Sequence, residues 1–114
     1  MIVNAGVWID NLKALVVIVF DGGEKKLEIQ AEPGPRPGQF TRFYTEVIQV
    51  LRDAESILIF GPGQAKEDLR AHLQRARLQD KVLGVEPAEA MTDPQFMAKV
   101  RERFQHPGGH LGTA

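Results

Sequence analysis

Ser56-Ile57-Leu58-Ile59-Phe60-Gly61-Pro62-Gly63-Gln64-Ala65-Lys66 is the part of this 114-residue chain on which the reading of the rest depends. Ser56 to Phe60 is short and almost wholly apolar, which predicts a strand covered on both faces in the middle of a sheet. Gly61-Pro62-Gly63 ends it. From Gln64 to Arg77 the spacing changes: Ala65, Leu69, Leu73 and Ala76 recur at helical intervals with charged residues between them. A buried strand feeding directly into an amphipathic helix is a building unit of α/β layers.

Upstream, Val3 to Asp10 and Ala14 to Phe20 read as strands joined by Asn11-Leu12-Lys13, and Asp21-Gly22-Gly23 signals a second tight turn. Lys25 to Ala31 alternates polar and apolar residues, as an edge strand with one wet face would. Glu32-Pro33-Gly34-Pro35-Arg36-Pro37-Gly38-Gln39 then excludes helix and central strand, because proline fixes φ and lacks an N–H. Phe40, Phe43, Tyr44, Val47, Ile48 and Leu51 mark one face of a helix ending near Asp53. Downstream, Lys81 to Val85 is a fifth strand. Thr92 caps a third helix with Gln95 completing a capping box, and Phe96, Val100 and Phe104 form its apolar stripe.

The order β-β-β-α-β-α-β-α predicts one α/β domain over residues 1–105, a five-stranded mixed sheet with three helices, followed by a flexible tail at 106–114. It matches the ribonuclease H-like architecture, on which several functions are built.

Lys and Arg number 14 against 15 Asp and Glu, so the net charge of -1 excludes a strongly basic nucleic-acid arm. The absence of cysteine excludes disulfides, thiolate metal sites and a cysteine nucleophile. The longest apolar stretch, Ala14 to Phe20, is too short to span a bilayer, and no signal peptide precedes it; a cytoplasmic protein without membrane contact is expected. No cofactor motif is present.

Asp10 ends the first strand, where a ribonuclease H-like nuclease keeps a metal-binding carboxylate. Cleavage by two metal ions needs several converging acids. Glu46 and Glu102 are the other candidates, yet the fourth strand ends in Phe60-Gly61-Pro62 without one. No metal site is expected, and Asp10 reads first as a turn residue that bonds the backbone toward Leu12. Gly61, Gly63, Gln64 and Lys66 form an anion-binding candidate, since the free amides of a helix start and the Lys66 ammonium would meet a phosphate there. Trp8 reads as core or face plate and His72 as a helix flank. Arg70, Arg75, Arg77, Lys81, Lys99, Arg101 and Arg103 read as solvated charge rather than an RNA patch.

Pro37-Gly38-Gln39, Gly6-Val7-Trp8-Ile9-Asp10 through Val19, and Ile57 to Gly63 followed by Lys66, Leu69 and Leu73 carry a resemblance. The chain resembles the middle domain of archaeal and eukaryotic peptide-chain release factors and their Pelota relatives. It looks closer still to small bacterial proteins described as translational-machinery or host-attachment proteins. The likeness covers about residues 4 to 104. In release factors a Gly-Gly-Gln loop promotes peptidyl-tRNA hydrolysis. Here Gly38 and Gln39 match two of those positions, while Pro37 replaces the first glycine and cannot copy its conformation or its N–H.

The resemblance implies a non-catalytic translation-associated module that binds RNA or the ribosome through Arg36, Gly38, Gln39 and the Gly61 to Lys66 turn. The rival is an enzyme, either a metal-dependent nuclease acting through Asp10 or a peptidyl-tRNA hydrolase acting through Gln39. A third reading is a self-associating domain, a homodimer formed along the third strand as an unprotected edge.

Overall fold

In the computed structural model, which describes residues 3–31 and 39–105 (the side chains of 39–41 and 105 aside), the chain opens as an antiparallel meander. β1 (Asn4–Ile9), β2 (Lys13–Phe20) and β3 (Gly23–Gln30) pair in succession. α1 (Gln39–Leu51) leads to β4 (Ser56–Gly61), which lies parallel to β1. α2 (Ala65–Arg75) and a short 3-10 turn, Gln79–Lys81, lead to β5 (Val82–Pro87), parallel to β4, and α3 (Asp93–Gln105) follows. The sheet order is β3-β2-β1-β4-β5. This five-stranded mixed sheet with three helices is the ribonuclease H-like architecture that the element order implied.

Alternation along the central strands divides the core into two layers. Ala5, Val7, Ile9, Ala14, Val16, Ile57 and Ile59 face α1 and α2, where Phe43, Val47, Leu51, Leu69 and Leu73 meet them. Trp8, Leu15, Val17, Leu58 and Phe60 face the other way, against Phe96 and Val100 of α3. β4 is therefore apolar on both sides because both sides are covered. Gly6 allows α3 to settle closely on β1: a methyl group built there would stand 2.5 Å from Val100 Cγ2.

Several element ends differ from the sequence reading. β3 starts at Gly23, which pairs with Phe20 across a two-residue turn. Its expected apolar face is only partly covered, with Leu27 38% exposed, because it is the terminal strand. β5 starts one residue later and runs on to Pro87, which stands opposite Gly61. α2 stops at Arg75, since Arg77 adopts φ 65° and Leu78 N–H donates back to the Leu73 carbonyl at 2.9 Å. Gln39 is the first residue of α1 rather than the last of the loop. The rest of the proline-rich segment, 32–38, and the expected tail at 106–114 lie outside the described residues.

Candidate functional site

β1, β4 and β5 run in one direction, so Ile9, Gly61 and Pro87 end at a common edge of the sheet. α2 and α3 start just beyond that edge, and α1 runs away from it toward the start of β4. The β1–β2 turn is there too, since Lys13 pairs with Gln30 at the end of β3. In open α/β sheets, ligands bind outside the carboxyl ends of the strands, where the connections diverge to opposite sides. Here that place lies between β1, which continues to β2, and β4, which continues toward β5.

Gly61 makes this junction close. A methyl group on it would press into the Ile9 carbonyl oxygen, and it would reach the Lys66 Cβ at 3.6 Å. Its own carbonyl accepts the Ala88 N–H at 2.9 Å. Gly63 has open space around it, and a methyl group added there would meet no heavy atom within 4 Å. Gln64 carries helical angles, φ -75° and ψ -22°, and its carbonyl accepts the amides of Glu67 and Asp68 at 2.9 and 3.0 Å. Among the described residues the amides of Ala65 and Lys66 find no backbone acceptor. The Lys66 ammonium folds over the turn and donates to the Gly63 carbonyl at 2.7 Å. Glu67 and Asp68 in the first turn already complement the helix dipole. The turn is an exposed, cation-topped corner rather than an enclosed anion cradle.

The other expected residues are placed as follows. Asp10 Oδ1 accepts the amides of Leu12 and Lys13 at 2.8 and 2.9 Å, the turn role its position suggested. Glu46 and Glu102 are exposed on α1 and α3, and the end of β4 contributes the buried ring of Phe60. Among the described residues no three His, Asp or Glu side chains converge as metal ligands. Gln39 begins α1 at the carboxyl edge, whereas Arg36 and Gly38 lie outside the described residues.

Trp8 is buried, and its indole N–H is shared by the carbonyls of Ala88 and Glu89, both at 3.2 Å. It clamps the β5–α3 connection to β1. Beside it a pocket of about 30 Å³, room for one water, is lined by Lys13, Leu15, Met91, Asp93 and Phe96. Many of the cations are held within the chain. Arg70 pairs with Glu67 and Arg101 with Glu24, at 3.3 and 2.8 Å, and Arg103 pairs with Glu86. Lys81 donates to the Arg52 carbonyl at 2.8 Å.

The sequence reading missed one aromatic pair. His72 stacks on Tyr44 between α2 and α1, with ring centroids 4.6 Å apart, and its Nδ1 lies 3.2 Å from the Arg75 guanidinium. Burial lowers the His72 pKa, Arg75 lowers it further, and Asp68 opposes them. Burial, with Asp68 adding to it, raises that of Tyr44. Tyr44 lay on the predicted inner face of α1, but nothing in either helix alone indicated which residue of α2 it would meet.

No family model matches this sequence, and no curated protein matches it. Solved structures are similar in fold. Pelota of Thermoplasma acidophilum superimposes with a TM-score of 0.66 at 18% identity, over 96% of this chain and 34% of that one. Dom34 of Saccharomyces cerevisiae, a translation termination-like factor, gives 0.59 at 10% identity over 96% and 37%. The archaeal translation termination factor aRF1 gives 0.57 at 12% identity over 97% and 41%. The chain thus spans about a third of the length of the Pelota structure it matches. These likenesses establish the fold. No helix among the described residues is long and apolar enough to cross a membrane.

Proposed function

We propose that this chain is a non-catalytic, translation-associated module corresponding to the middle domain of the Pelota and release-factor proteins, and that it works in the cytoplasm on RNA or the ribosome. One observation carries the reading: almost the whole chain, 96%, superimposes on part of Pelota. Dom34, also similar in fold, is involved in RNA quality control pathways and interacts with Hbs1. The contact surface is the turn at the carboxyl edge made by Gly61, Gly63, Gln64 and Lys66, together with Gln39 at the start of α1 and Arg36 and Gly38 in the segment leading to it.

The non-catalytic part of the reading rests on chemistry. Asp10 spends an oxygen on two backbone amides, and Phe60 and Gly61 occupy the strand end where a further carboxylate would be needed. Pro37 occupies the place of the first glycine in a hydrolytic Gly-Gly-Gln loop. The test is co-sedimentation with ribosomes and with tRNA at low and moderate salt. Binding should weaken as salt rises, because phosphate contacts release counterions, and Lys66→Glu should weaken it further. Absence of salt-sensitive binding, or an unaffected Lys66→Glu variant, rejects the proposal.

A further inference from the structure

β3 is a terminal strand, and among the described residues no strand pairs with its outer edge. Its ladder to β2 shows which backbone groups face outward. Ala31 N–H donates to the Leu12 carbonyl at 2.8 Å, and Phe20 faces Gly23 across the turn. Hydrogen-bonded and non-hydrogen-bonded pairs alternate in such a ladder. Gly23, Lys25, Leu27 and Ile29 therefore turn their amides and carbonyls toward β2. Glu24, Lys26, Glu28 and Gln30 present theirs to the open edge. β3 has eight residues in unbroken register and no proline. The other terminal strand, β5, has six, carries a register shift opposite Ile57 and Leu58, and ends in a proline without an N–H. Irregularity and proline blunt an edge, and a long regular strand leaves it open to pairing.

We propose that a second copy of this chain adds its own β3 antiparallel to this edge, with Leu27 facing the partner's Leu27 across the two-fold axis. An axis perpendicular to the sheet keeps every residue on its own face, so the strand must be centred on a residue. Centred on Leu27, Lys26 faces the partner's Glu28 and Glu28 faces the partner's Lys26. Both are the outward-bonding pairs that the ladder provides. Centring on Lys25, Lys26 or Glu28 would set that residue against its own copy, a direct like-charge contact. Leu27 falls on the side that faces α1, next to a hollow of about 350 Å³ lined by Val3, Ile18, Val50 and Ala54. The pairing covers this exposed leucine, while Lys26 keeps its bridge to Asp93 at 3.1 Å on the other side of the sheet. The inferred assembly is one continuous sheet of both copies.

The chain contains no cysteine, so Leu27→Cys installs its only thiol on the axis. Opposed Cβ atoms in such a pair lie about 4.5–5.5 Å apart, near the roughly 3.5–4.5 Å that a disulfide spans. Sedimentation equilibrium from micromolar to submillimolar protein should show a species of twice the 12.7 kDa chain mass. Glu28→Lys should return it to monomer with an unchanged circular dichroism spectrum, and adding Lys26→Glu should restore the dimer by exchanging the charges. Mild oxidation should cross-link Leu27→Cys but not Leu12→Cys, which is the more exposed of the two, 64% against 38%, but lies away from the edge. A wild-type chain that stays monomeric, or a dimer indifferent to Glu28→Lys, overturns the proposal. Cross-linking that is equal at both cysteine positions overturns it as well.

Discussion

Asp10 Oδ1 holds two amides of the β1–β2 turn, at 2.8 Å from Leu12 and 2.9 Å from Lys13. Asp10→Ala should cost about 1 kcal/mol in urea denaturation, whereas Asp10→Asn keeps an acceptor oxygen and should stay close to wild type. His72 belongs to the same scale. Burial first and Arg75 second hold its folded pKa below the ordinary 6.5, so the unfolded chain binds its proton more readily. Its contribution to stability is present above pH 6.5 and is lost as pH falls through the folded value. Proton NMR titration should find the lowered pKa, and Arg75→Ala should move it back up. The role of Asp10 was legible from its place between a strand and a short link. His72 was not, because its environment comes from Tyr44 on a different helix.

At the scale of elements, helix ends carry the sharpest signals. The capping box expected at α3 is formed: Gln95 N–H donates to Thr92 Oγ1 at 3.2 Å, and Thr92 N–H to Gln95 Oε1 at 3.0 Å. Thr92→Ala should lower stability by about 1 kcal/mol, measured by thermal unfolding. The end of α2 follows a different logic. Arg77 sits at φ 65°, where a Cβ is strained, while the Leu78 amide closes the helix end on Leu73. Arg77→Gly should raise stability by up to about 1 kcal/mol in the same assay, the relief of strain exceeding the entropy lost by glycine. Apolar spacing placed α2 correctly but extended it to Arg77. A side-chain pattern does not register the handedness of one backbone residue.

For the whole molecule, two apolar layers share a single sheet. Phe96 stands edge-on to Phe60, with centroids 5.5 Å apart and planes at 83°, and is 1% exposed. Phe96→Ala should cost about 3–5 kcal/mol. The loss should appear in one cooperative transition, because β1, β2 and β4 contribute to both layers. Separate melting of α3, seen as a second step by circular dichroism, would contradict that coupling. At this scale the candidate site also takes form. The Gly61 to Lys66 turn and the β1–β2 turn are distant in sequence, yet the parallel run of β1 and β4 brings them to one edge.

Local chemistry in the sequence was enough to determine the elements, their order and the two-sided burial of β4, since hydrophobic period, turn glycines and caps act over a few residues. It also identified the Gly61 to Lys66 corner as the place where a strand delivers free amides. Tertiary structure alone decided what holds the chain beside that corner: Trp8 clamps it at Ala88 and Glu89. It alone set Tyr44 against His72 and left the outer amides of β3 facing away from β2. Each of these depends on which strand or helix lies alongside. Strand pairing and helix packing join residues far apart in the chain, and no local pattern encodes the neighbour.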